Sequence, residues 1–184
     1  NFHSLDRRIA LNDAGQTAFT ANLIPEGEFS IIGNGVYSEA GGTLSLVART
    51  GDPAPGTALG VNFRSFGPPS LNNAGQTAFV ADLTGTGVNF RNDTGIFTQS
   101  GGTMALLARE GNAAPGTEPG VNFNRLLNSE PPLLNKTGET AFVASLTGPG
   151  VHDTNDVGLF SESRGTLGLV AREGDPAPGS ESTR

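Results

Sequence analysis

One phrase recurs three times along the chain and limits what it can fold into. It reads LNDAGQTAFTANL at residues 11–23, LNNAGQTAFVADL at 71–83 and LNKTGETAFVASL at 134–146. Its asparagine falls at Asn12, Asn72 and Asn135, spaced 60 and 63 apart. A second phrase keeps the same spacing: LVARTGDPAPGT, LLAREGNAAPGT and LVAREGDPAPGS, with its arginine at Arg49, Arg109 and Arg172. A third (GVYSEAGGT, GIFTQSGGT, GLFSESRGT) precedes the second each time. Three motifs in fixed order and phase make an internal repeat, and the extra residues of the last period belong in loops. The chain is therefore one repeat domain, 1–184, with approximate units 1–60, 61–120 and 121–184.

Within a unit the pattern is that of strands. Glycine and proline, 27 and 12 of the 184 residues, are scattered so evenly that no long amphipathic helix is available. Thr77, Phe79, Ala81 and Leu83 alternate with Ala78, Val80 and Asp82, the period of a strand. Gly95–Gln99 predicts a second strand. Thr103–Arg109 predicts a third, with Met104, Leu106 and Ala108 on one face and Ala105, Leu107 and Arg109 on the other. Gly101-Gly102 between them supplies the positive φ of a tight hairpin. VNFRSF (Val61–Phe66) and VNFNRLL (Val121–Leu127) predict a fourth. In the opening phrase the Asx side chain bonds local backbone and the glycine relieves a left-handed residue, so Asn12/Gly15, Asn72/Gly75 and Asn135/Gly138 are turns. The strand that follows is thin at its alanine, and Phe19, Phe79 and Phe142 fill the gap between neighbouring sheets.

These elements predict an all-β fold of three tandem four-stranded antiparallel sheets, shaped like β-propeller blades. Asn1–Asp6 aligns with NFRSFG at Asn62. On that alignment the chain opens on a fourth strand, out of step with its own unit, and the third sheet is one strand short. Three blades are too few for an ordinary propeller ring. The options are a six-bladed ring of two chains, an open fibre, or closure within one chain as a β-prism or β-trefoil; the long Pro-rich connections favour stacked sheets. The spare edge places self-association at Asn1, Phe2, His3, Ser4 and Leu5.

Charge narrows the partners. The net charge is −7 and the 11 basic residues are dispersed, which argues against nucleic acid. There is no cysteine, and no apolar run is long enough to span a bilayer. The first residue is Asn rather than Met, consistent with processing from a longer exported precursor. Two histidines, one lysine and one tyrosine make poor material for catalysis. The loop HDTNDVG carries Asp153, Asn155 and Asp156, hard oxygen donors of the kind calcium takes, with Asn92 and Asp93 equivalent in the second unit. The same residues also serve as turn formers, which is the commoner use. Arg49, Arg109 and Arg172 present a repeated cation for a carboxylate or sugar acid; the competing reading is a hydrogen bond to carbonyls of the APG turn.

The phrases marked by Asn12, Gly15, Ala18 and Phe19, by Asn72, Gly75, Ala78 and Phe79, and by Asn135, Gly138, Ala141 and Phe142 resemble the bacterial tandem-repeat proteins named for an Asn-x-x-Gly-x-x-Ala-Phe (NxxGxxAF) signature. The GGTLSLVARTGDPAPGT stretch is similar to that family too. The resemblance implies an exported, surface-associated protein, often tethered by a C-terminal anchor, with no established enzymatic activity. The leading expectation is a non-enzymatic extracellular module, structural or adhesive, that self-associates as a homo-oligomer or fibre. A carbohydrate-binding, lectin-like module is the alternative, weakened by the absence of Trp and by Tyr37 being the sole Tyr.

Overall fold

Each unit folds as an antiparallel sheet because its strands are joined by turns too short for any crossover. A computed structural model describes residues 1–27, 30–126 and 130–179; Leu127 and Ser180, at the ends of two of the phrases above, lie outside the described residues. The first unit holds β1 (Phe2–Leu5), β2 (Ala10–Leu11), β3 (Thr17–Leu23), β4 (Gly33–Ser38) and β5 (Ser45–Arg49). The second holds β6 (Val61–Phe66), β7 (Ser70–Leu71), β8 (Thr77–Gly85), β9 (Thr94–Ser100) and β10 (Thr103–Arg109). The third holds β11 (Asn122–Leu126), β12 (Leu133–Leu134), β13 (Thr140–Thr147), β14 (Val157–Ser163) and β15 (Thr166–Arg172). No helix occurs among the described residues. The three sheets run β1-β3-β4-β5, β6-β8-β9-β10 and β11-β13-β14-β15, and the two-residue strands β2, β7 and β12 extend β3, β8 and β13. They are separate layers, not a closed barrel.

The architecture is the one the repeats predict, but the N-terminal offset is not found. β1 pairs with β3 of its own sheet, Phe2 opposite Leu23 and Leu5 opposite Ala21. β6 and β11 likewise pair with the strand that follows them, β8 and β13. The segment that begins Asn-Phe (NFHS, NFRS and NFNR) is thus the first strand of each unit and not the last, and the third sheet has its four main strands. The physical reason is the GDPAPG connection, whose turns reverse the chain onto β6 and carry it across to the next layer.

Two bulges per sheet decide which side chains reach the core. A register shift at Arg64, between Phe63 and Ser65 of β6, lets Phe63 and Phe66, three residues apart, point the same way. Another shift between Leu106 and Ala108 breaks the strict alternation predicted for β10. Met104 and Leu106 pack toward the first sheet, while Leu107 and Ala108 pack toward the third. The β14–β15 hairpin shows what one glycine can do: Arg164 takes φ 52 and Gly165 φ 78, matching φ 55 and 81 at Gly101 and Gly102.

Two cores result, one per gap. Between the first and second sheets lie Val36 and Ala48 from one side and Phe63, Phe66, Phe79 and Phe97 from the other. Between the second and third lie Val80, Ile96 and Ala108, facing Phe123, Leu126, Phe142 and Phe160. The second sheet therefore turns an aromatic face toward the first unit and an aliphatic face toward the third.

Candidate interaction site: the faces between repeats

The recurring asparagine turns out to link one unit to the next. Within its own turn Asn72 Oδ1 accepts from the backbone N–H groups of Ala74 and Gln76 at 3.0 and 2.9 Å. Its Nδ2 is then left pointing outward, and donates to the carbonyl of Asn135 in the third unit at 2.8 Å. Asn12 repeats the bond one layer earlier, donating to the carbonyl of Asn72 at 3.1 Å. Asn135 keeps the turn bonds and the Nδ2 bond to the residue four places on, Glu139, which matches those of Asn12 to Gln16 and Asn72 to Gln76; among the described residues its Nδ2 makes no bond to another unit. The turn predicted from Asn and Gly is present in all three copies, with Gly15, Gly75 and Gly138 at positive φ. The inter-unit bond could not be read from the phrase, because it depends on the stacking distance.

A second clasp comes from the GDPAPG phrase. Gly51 N–H donates to the carbonyl of Phe63 at 2.8 Å, and Phe63 N–H to that of Asp52 at 3.0 Å. Gly111, Asn112 and Phe123 repeat this at 2.8 and 2.9 Å. The loop thus occupies the outer edge of the next unit's first strand. It also folds over the next unit's last strand: a Cβ on Gly56 (φ +76) would stand 2.8 Å from Leu106 Cβ, and one on Gly116 (φ +83) 2.9 Å from Leu169 Cβ.

The aromatic faces are built alike. Phe63, Phe79 and Phe97 form a trio with Phe97 stacked on Phe79 at 6.0 Å and Phe63 edge-on to Phe97 at 4.9 Å. Phe123, Phe142 and Phe160 copy it at 5.8 and 4.9 Å, and Phe2, Phe19 and Tyr37 copy it again at 5.8 and 4.9 Å. Of these nine rings the sequence reading singles out the three in the TAF strands as gap fillers and Phe2 as part of the self-associating edge; the other five are legible as phased aromatics in the NF and G[VIL][FY] positions.

The arginines do structural work, though not where expected. Arg109 Nε donates to the carbonyl of Asn92 at 2.8 Å and Arg172 Nε to that of Asn155 at 2.6 Å, so the acceptor lies in the preceding hairpin and not in the APG turn. Arg49 pairs with Asp52 at 3.1 Å. Arg172 also reaches Glu118 of the second unit's loop at 3.0 Å. In the loops considered for calcium, Asn92 and Asn155 close matching turns: each Oδ1 accepts a backbone N–H three residues back, at 2.7 and 2.8 Å, and each Nδ2 donates to a glycine carbonyl. Asp93 lies 3.9 Å from Arg64, and Asp153 and Asp156 flank the Asn155 turn. Among the described residues no three His, Cys, Asp or Glu side chains gather as a metal site.

A polar cleft of about 270 Å³ lies between the second and third units, lined by Arg64, Asp82, Phe90, Asp93, Glu110 and Arg125. Glu110 is its buried member; its carboxylate accepts from Leu126 N–H at 2.9 Å. Desolvation outweighs that bond and raises the Glu110 pKa above the ordinary value. A carboxyl whose pKa rises on folding adds stability below its unfolded value and loses it as pH climbs through the folded one. Glu110→Gln keeps the acceptor oxygen and removes the charge. The variant should therefore be more stable than the parent at neutral pH, with the gain shrinking as pH falls through the raised folded pKa and levelling off below the unfolded carboxyl value of about 4.3. Urea melts of both proteins at several pH values check this, and a gain that does not vary with pH would overturn it.

At the two ends the same faces stand open. Leu159 is 38% exposed, whereas its counterpart Ile96 is 2% exposed under the third sheet. At the other end Phe2 is 46% exposed, against 2% for Phe63. A family model, that of a family of unknown function, DUF7453, matches residues 2–184. The chain belongs to this family. The DUF7453 match covers all three units, so it describes the stack as a whole and not a single sheet. No curated protein matches the chain. In this DUF7453 chain no helix among the described residues is long and apolar enough to cross a membrane.

Proposed function

We propose that the chain is a non-enzymatic repeat module with a structural or adhesive role outside the cell, working by self-association. One observation carries the reading: the stack presents, unpaired at its ends, both halves of the interface it uses twice inside. The likeness to NxxGxxAF surface proteins supports the location. The placement of the histidines supports a non-catalytic role, since His3 sits on the exposed β1 and His152 lies in an exposed turn beside Thr154 and Asn155. Sedimentation velocity over a wide concentration range tests the reading. The weight-average mass should rise with concentration, and a constant monomer mass would refute self-association.

A lectin-like role is the second reading, and Phe90 favours it. This ring is 79% exposed at the rim of the polar cleft, with the Arg91 guanidinium 5.2 Å from its centroid. An exposed aromatic beside carboxylates and arginines is the equipment of a sugar site. A glycan array showing binding that Phe90→Ala abolishes would support this role.

A further inference from the structure

We infer that a second copy of the chain docks head to tail, its aromatic N-terminal face seated on the aliphatic C-terminal face of the first. This rests on the self-association reading above and names the surfaces that carry it. The argument is continuity with the internal interfaces. In both gaps the pattern is the same: an aromatic trio from the following sheet covers a branched aliphatic from the β3-equivalent or β4-equivalent strand and an alanine from the last strand. The third sheet offers that set again in Val143, Leu159 and Ala171, all exposed, while Val80, Ile96 and Ala108 are buried. The first sheet offers the matching trio in Phe2, Phe19 and Tyr37, already in the stacked and edge-on geometry of the two covered trios.

The backbone matches as well. Inside the chain Phe63 and Phe123 use their outward N–H and C=O groups to bind the GDPAPG or GNAAPG loop of the preceding unit. Phe2 is the counterpart of those residues, and the described part of the last phrase, Gly174–Gly179, is exposed beyond β15. Docking a second copy therefore adds a sheet edge and an apolar face in one step, with Gly174 and Asp175 opposite Phe2. Edge pairing at Asn1–Leu5 and face stacking become parts of a single contact. The contact joins different surfaces, so a dimer retains one free face of each kind and growth continues, as an open polar stack or a ring where the rotation closes.

The test uses one variant per face. Leu159→Asp places a charge on the aliphatic face, and Phe2→Asp places one on the aromatic face; both positions are exposed in the monomer, and circular dichroism spectra and melts confirm folding. Val143→Asp and Leu5→Asp are the alternatives where either fails to fold. Each variant alone should associate about tenfold or more weakly than the parent, since docking would bury an unpaired charge. Mixed, the two variants should form a dimer and stop there, because each contributes its intact face. Variants that associate as the parent does, or a mixture no larger than its components, would overturn the head-to-tail assignment while leaving self-association standing. A parent that stays monomeric would overturn both.

Discussion

Phe79→Ala should destabilise the chain by about 3–5 kcal/mol, read from urea or thermal unfolding. The ring is fully buried, contacts Phe97, Phe63 and Phe66, and lies in the gap that Val36 and Ala48 close from the other side. Removing it opens a cavity bounded by two sheets that are each held by their own ladders and cannot collapse onto it. The equivalent change at Phe19 should cost less than about 2 kcal/mol, because that ring is only partly buried. Measured at dilution, where chains are apart, the contrast reports on the stacking itself. Equal costs at Phe19 and Phe79 would mean that the first sheet's aromatic face is covered, contrary to the arrangement described.

Asn72→Ala should cost about 2–4 kcal/mol, a large effect for one polar side chain. Four bonds are lost together: two backbone N–H groups within the turn, Gln76 Oε1 at 2.6 Å, and the Asn135 carbonyl of the next unit. Asn72 is 5% exposed, so water does not readily replace them. Asn135→Ala should cost nearer to 1 kcal/mol, since that side chain is exposed and spans no gap. Asn72→Asp separates the two roles of the residue. It keeps the oxygen that shapes the turn but loses the donor and sets a negative charge against the Asn135 carbonyl. It should fall close to Asn72→Ala, whereas Asn135→Asp should be mild. A mild Asn72→Asp would show that the turn, and not the bond between units, is what the residue supplies.

The electrostatics of the gap are tuned differently in its two occurrences. Where the second unit places Glu110 against the third, the first places Thr50, whose hydroxyl donates to the carbonyl of Arg64 at 3.1 Å. Both residues tie the end of one unit to the first strand of the next. Only the glutamate does so at the expense of a desolvated charge, which is why the pH dependence belongs to the second gap.

Much of the fold was legible because it is local. The Asn-x-x-Gly turns, the double-glycine hairpin and the alternation in β8 each depend on residues within a few positions of one another, and backbone sterics act at that range. The phase of the repeats added the number of sheets. The strand Val61–Phe66 was placed correctly in sequence yet assigned to the wrong sheet, since a strand's pattern records its faces and not its neighbour. The candidate site was less legible. Phe90 stood in a loop considered only for its Asn and Asp, and Val143 and Leu159 read as ordinary strand residues.

The sequence by itself determined that this protein is a series of three antiparallel β units with turns at Asn12, Asn72 and Asn135, because turn chemistry and strand period are properties of short segments. Only the tertiary structure decided which sheet each Asn-Phe strand joins, that the Asn side chains bridge units, and that each layer has an aromatic and an aliphatic side. Those outcomes depend on distances across the gaps, set by how rings, alanines and bulges of different units fit together, and no single unit contains that information.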